Sequence, residues 1–238
     1  MSNRTVPAYK RVHILGDSYT QGLYATAGNE YRALLLTSLQ SVNALNATEI
    51  WSKSSVVGGK LVDQLGNLPG AWLYLNRPHL CFLALGQNDR GGPTPVNEST
   101  FRGAARDVMD YVVNFLPSYA VLIVVAVPFQ PTWPGTINGT YAAIYNRILK
   151  EEAEERGFWF APNWDDAQTP AGISSAADVI AGEATTADGY HPNNTGHQQL
   201  HDALWGDISG LVSRALRRKT NARAQATGRA AASGRTAA

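Results

Sequence analysis

Residues 120–127 read AVLIVVAV, eight apolar side chains in a row. That is far short of the roughly 20 residues a membrane-spanning helix requires. The run also lacks the polar alternation of a strand with one wet face, so it predicts a strand covered on both sides. Covering both faces takes helices above and below a parallel sheet, and parallel neighbours need long crossovers between them. One eight-residue run therefore already asks for an α/β chain of repeated strand and helix.

The rest of the sequence supplies both. Four further runs have strand character: RVHILG (11–16), TEIWSKSS (48–55, the weakest), HLCFLALG (79–86) and GFWFAP (157–162). Between them, apolar residues recur at helical spacing: Tyr31, Leu34, Leu35, Leu39, Val42 and Leu45; Phe101, Ala105, Val108, Val112 and Phe115; Tyr141, Ile144, Tyr145, Ile148 and Leu149; and Leu200, Leu204, Ile208 and Leu211. Breaks such as RGGPTP and QPTWPG punctuate the series. The pattern predicts an α/β chain folded as a three-layer α/β/α sandwich around a parallel sheet. No repeat or linker divides it, so residues 1–216 are expected to form one domain.

Charge separates the remainder. After Asp207 come seven basic residues (Arg214, Arg217, Arg218, Lys219, Arg223, Arg229, Arg235) and no acidic one, leaving 13 basic against 19 acidic before them. Residues 217–238 are small, polar and basic, the composition of a disordered tail. No aromatic or structured reader accompanies that charge, so nucleic acid is not expected as a partner of the core, and the tail's partner is left open. Cys81, the single cysteine, lies inside an apolar run and reads as packing, which excludes disulfides and cysteine metal clusters. MSNRTVPAYKR at the start has no apolar h-region, so the expected location is cytoplasmic by default, with incorporation into a larger assembly as the other possibility.

In open α/β sheets, ligands gather outside the carboxyl ends of the strands. The segments leaving the first three runs there are GDSYTQG (16–22), VVGGK (56–60) and GQND (86–89). Ser18 admits two readings. A Ser or Asp after an apolar run ordinarily caps the next helix, but a serine here is also placed to be a nucleophile, provided a base takes its proton and a third group orients that base. Four of the five histidines have structural explanations: His13 and His79 in strands, and His197 with His201 on the last helix, a pair that lacks the H-E-x-x-H frame of a zinc site. His191, in DGYHP (188–192), follows a long aperiodic segment, with Asp188 three residues upstream. Asp and His so spaced can meet in a turn and leave one ring nitrogen free, although an Asp-Gly turn before a helix-starting Pro has the same appearance. Backbone N–H groups at Ser18 and Gly59 and the Asn88 amide are candidate oxyanion donors, each of which also has a plain role in a turn or cap.

Together these blocks, in order and position, resemble those of the GDSL esterase/lipase family, the SGNH hydrolases. The resemblance covers most of residues 11–212 and is carried most specifically by GQND and DGYHP. It implies a flavodoxin-like SGNH hydrolase fold, five parallel strands in the order 2-1-3-4-5. It also implies Ser18 as nucleophile, Asp188 and His191 completing the triad, and Ser18, Gly59 and Asn88 forming the oxyanion hole. Where relatives often carry an Asn before the second-block glycine, this chain has SKSSVVGG, which leaves Gly58 and Gly59 in competition for that role.

The expected activity is hydrolysis of carboxylic esters through an acyl-enzyme, with no cofactor and no metal. Short acyl or acetyl esters are favoured because no long apolar lid is visible, and the substrate is expected to be a small-molecule or carbohydrate ester. Trp133, in the loop PFQPTWPGTING, is the candidate substrate wall, and Trp164 a weaker one. The competing readings are an acyltransferase or thioesterase with the same triad, and a non-catalytic carbohydrate-binding or structural assembly protein that kept the fold.

Overall fold

The computed structural model describes residues 9–42, 45–65, 77–90, 94–118, 120–128, 137–162 and 191–212. Asp188, Trp133, Trp164 and the tail 217–238 lie outside them.

Five strands, β1 (Tyr9–Gly16), β2 (Leu45–Ser55), β3 (Leu80–Ala84), β4 (Val121–Val125) and β5 (Trp159–Ala161), form one sheet in the order β2-β1-β3-β4-β5. All four pairings are parallel. Helices follow in alternation: α1 (Ser18–Gln21), α2 (Tyr31–Ser41), α3 (Glu98–Phe115), α4 (Ile137–Glu155) and a last helix, α5, over 194–212. Leu45, which the helical spacing assigned to the stretch before β2, is instead the first residue of that strand.

Alternate residues of each strand feed opposite cores. Val12 and Ile14, Leu80 and Phe82, and Ile123 and Val125 pack with Leu35 and Leu39 of α2 and Leu200, Leu204 and Ile208 of α5. Leu15, Cys81, Leu83, Leu122 and Val124 pack with Phe101, Val108 and Val112 of α3 and Tyr145, Ile148 and Leu149 of α4. These two cores are the two interfaces of a three-layer sandwich. Cys81 is fully buried in the second, where loss of hydration pushes its thiol up to about 12, so it stays a neutral packing group. Outside that core, Glu152 of α4 ties the two helices together by receiving Arg102 and Arg106 of α3 and Arg156. Among the described residues, no helix is long and apolar enough to cross a membrane.

Two buried imidazoles give the fold an acid limit. Burial pushes His13 of β1 and His197 of α5 each down to about 4 from 6.5. Because the folded value lies below the unfolded one, their stabilisation is complete above pH 6.5 and is lost as pH falls toward 4, about 3 kcal/mol for each. Asp17 and Asp89, pushed up to about 7 and about 6 by burial, run the other way, stabilising in acid and losing that contribution as pH rises. Wild-type stability between pH 4 and 6.5 is therefore flattened by opposition. His13→Phe removes one member of the first pair and should melt less steeply with acidification than wild type; an unchanged difference between pH 7 and pH 4.5 would count against a neutral buried His13.

Candidate active site

β1 ends in a turn in which the helix cap is supplied by the residue before Ser18. Asp17, with φ −118° and ψ −149°, is the N-cap of α1, and its carboxylate accepts from Tyr19 N–H at 3.0 Å. Capping is thus done by the neighbour, and Ser18 becomes the first helical residue with its hydroxyl free for another partner. Gly16 makes this turn possible: a Cβ there would lie 1.9 Å from Thr20 Oγ1, so any side chain would push α1 off the strand end.

The partner of Ser18 comes from 173 residues away. His191 Nε2 lies 3.1 Å from Ser18 Oγ, within the range at which an imidazole accepts a hydroxyl proton. One side-chain contact fixes the His191 segment against the serine loop. Asn194, in the first turn of α5, accepts from Thr26 N–H at 3.0 Å and donates to Thr26 Oγ1 at 3.0 Å. The ring of Tyr19, itself buried, stands 6.2 Å from that of His191, and the exposed ring of Tyr24 stands 5.5 Å from it.

The segment after β3 supplies the third side. Asn88 Nδ2 donates to Gly59 O at 3.0 Å and to Asp17 Oδ2 at 3.2 Å, so its amide spans the loops that leave β1 and β2. Asp89, fully buried, receives Leu61 N–H at 2.6 Å and Val62 N–H at 3.1 Å and holds the chain after Gly59 against the same block. Gln87 bridges Tyr19 OH and the buried Arg90. Burial raises Asp17 to about 7, with Asp89 adding to the rise and the Tyr19 N–H and Arg90 opposing it. The carboxyl beside the serine therefore changes charge near neutrality.

Of the residues predicted from sequence, the structure brings Ser18, His191, Asn88 and Gly59 to one edge of the sheet; Asp188 and Trp133 fall outside the described residues. Gly59 N–H is already in use, closing a turn onto Val56 O at 2.9 Å, and Gly58, with φ +70°, supplies the left-handed corner of that turn. Ser18 N–H, by contrast, has no hydrogen-bond partner among the described residues. His197 and His201 are both committed elsewhere. His197 Nδ1 accepts from Tyr31 N–H at 3.3 Å, and His201 sits between Ser38 Oγ and Asp202 Oδ1, each at 2.8 Å. This Ser38–His201–Asp202 arrangement pins α2 to α5. Ser38 lies inside a regular helix whose N–H groups are spent on its own ladder, so no donor is left there for an oxyanion. Among the described residues, no group of three His, Cys, Asp or Glu is placed to hold a metal ion.

Cavity volume alone points away from this edge. A cleft of about 440 Å³ lined by Leu116, Val121, Arg156, Phe158 and Trp159 lies at the opposite end of the strands. At the carboxyl end of the strands, a pocket formed by Asp17, Tyr19, Leu85, Gln87, Val127 and Pro128, which Ser18 does not line, has about 10 Å³, room for one water molecule.

Residues 14–199 match the sequence family described as GDSL-like Lipase/Acylhydrolase. No curated protein sequence matches the chain. Among solved structures, it is similar to a member of the lipolytic protein G-D-S-L family from Veillonella parvula, with 15% identity, 84% of this chain and 98% of that one covered, and a TM-score of 0.64. It is also similar to an acetylxylan esterase from Geobacillus stearothermophilus, with 18% identity, 84% and 94% covered, and a TM-score of 0.60. A psychrotrophic esterase from Pseudoalteromonas sp. has 15% identity, 86% and 99% covered, and a TM-score of 0.57.

Proposed function

The chain belongs to the GDSL-like lipase/acylhydrolase family, and from that premise we propose that it is a serine esterase working through Ser18, His191 and Asp188 on short-chain, chiefly acetyl, carboxylic esters. The observation that carries the reading is the 3.1 Å approach of His191 Nε2 to Ser18 Oγ. Ser18 Oγ attacks the ester carbonyl as its proton passes to His191 Nε2, forming the tetrahedral adduct. Collapse breaks the ester C–O bond, and the alcohol leaves with the His191 proton. Water, deprotonated by the same nitrogen, then hydrolyses the acyl-enzyme. Asp188 is assigned the task of orienting His191.

Ser18 N–H and the Asn88 amide are assigned as oxyanion donors. Gly59 N–H joins them as a third by sharing its hydrogen between Val56 O and the developing anion. The sequence carries no long, strongly apolar lid segment, which supports acetyl and similarly small groups. Acetyl esters on carbohydrate are the first natural substrates to try, as suggested by the acetylxylan esterase among the structural neighbours.

A panel of p-nitrophenyl esters from acetate to decanoate, with intact mass after a fluorophosphonate probe, tests the reading. The expected result is turnover highest for acetate or propionate and one covalent adduct. A folded protein with neither turnover nor adduct would make the binding-module reading the better one.

A further inference from the structure

Tyr24 is a residue the fold does not explain. Its backbone sits at φ +64°, a left-handed conformation that bulky residues rarely adopt and that Asn or Gly would hold with less strain. Its ring fills no core. At 56% it is the most exposed of the large apolar side chains among the described residues, and the next two there, Val57 and Val56, stand on the turn that leaves β2 at the same end of the sheet. The loop around it is held by others, through Ala25 N–H to Gly22 O at 3.1 Å and Thr26 to Asn194. What the ring does touch is His191, at 5.5 Å between centroids.

The chemistry of the step gives that position a use. The alcohol oxygen must come within hydrogen-bond reach of His191 Nε2 to take its proton, about 2.6–3.2 Å. Whatever substituent that oxygen carries then extends beside the imidazole, where the exposed ring of Tyr24 is the neighbouring apolar surface. The acyl carbonyl is at the other end of the scissile bond, on the side assigned to the Asn88 amide.

We propose that Tyr24 is the platform for the leaving alcohol and selects esters whose alcohol presents a flat apolar face, a pyranose ring or an aryl group. The proposal rests on the esterase reading above and adds the half of the substrate which that reading leaves open. Tyr24 contacts substrate; it moves no proton.

The test holds the acyl group constant and varies the alcohol. Ethyl acetate, phenyl acetate and an acetylated methyl xyloside are assayed with wild type, Tyr24→Ala and Tyr24→Asn, with Ser18→Ala as the blank. Removing the ring should lower kcat/KM about 3–10-fold, mainly through KM, for the esters that stack on it, the range expected of one aromatic contact. Ethyl acetate should stay within about twofold by the same measure, having no face to stack. Loss on phenyl acetate alone identifies an aryl platform, and loss on the xyloside alone a sugar platform. Tyr24→Asn should melt no lower than wild type, because it relieves the backbone. An equal kcat loss on all three esters would mean the ring only steadies His191, and no loss on any would mean it has no part in recognition; either overturns the platform while leaving the esterase intact. Absence of Ser18-dependent turnover in the wild type is the separate result that removes the esterase reading and the platform together.

Discussion

Ser18→Ala and His191→Ala should each abolish nearly all ester turnover, by a factor on the order of 10⁶, and the double variant should be no worse than either single one. The reason is that the two residues act as one unit. Without the imidazole, the hydroxyl at 3.1 Å has no base; without the hydroxyl, the imidazole has nothing to activate. The residual rate in all three should be similar, because the oxyanion donors and the surrounding loops survive. The fluorophosphonate adduct should vanish in Ser18→Ala and form far more slowly in His191→Ala. Folding is a separate matter. Ser18 is 1% exposed and its hydroxyl is small, so Ser18→Ala should melt like wild type, whereas His191→Ala also removes the ring that Tyr19 and Tyr24 face. Losses that multiply in the double variant would mean the two residues work independently, and the proposed mechanism would fail.

The parts of this architecture that were legible in the sequence are those where one physical demand dominates. β3 and β4 are covered on both faces, so nearly every residue had to be apolar and the runs stood out. β2 was the weakest prediction, and its first residues were missed, because it is an edge strand: it has a single neighbour and tolerates the polar residues of TEIWSKSS. Roles for the site residues came from the family resemblance, because each residue taken singly also had a plain role in a turn or cap. By its own neighbours Ser18 read as a helix cap, and that Asp17 takes the cap instead appears once the strand end and α1 are in place. Three supporting features left no local signal. Asn194 meets Thr26 across 168 residues, Arg90 is an arginine with no exposed surface, and Tyr24 has a left-handed backbone in a sequence position that gives no sign of it. Long-range hydrogen bonds and backbone strain are properties of the assembled edge, and no periodicity encodes them.

Asn88→Ala should lower kcat about 10²–10³-fold with little change in KM, the loss typical of removing one oxyanion donor. The amide spans two loops, donating to Gly59 O and to the Asp17 carboxylate, so it stands where the loops after β1, β2 and β3 meet. In the ground state those two acceptors hold it; as negative charge grows on the carbonyl oxygen, a full anion outcompetes a neutral backbone carbonyl for one of its hydrogens. The contribution therefore appears in kcat. Asp17 adds a way to separate holding from donating. Its carboxyl, raised to about 7 by burial, is a mixture of charged and neutral forms at neutral pH, and the charged form grips the Asn88 amide more strongly. Asp17→Asn keeps an acceptor oxygen for Tyr19 N–H but replaces the charged partner of Asn88 with a neutral one. The loss in kcat should be smaller than for Asn88→Ala, and any dependence on an ionisation near pH 7 that comes from Asp17 should disappear from the rate profile. If Asn88→Ala stays folded and turns over at the wild-type rate, Asn88 serves only to join the loops, and the oxyanion must be held by backbone N–H groups alone.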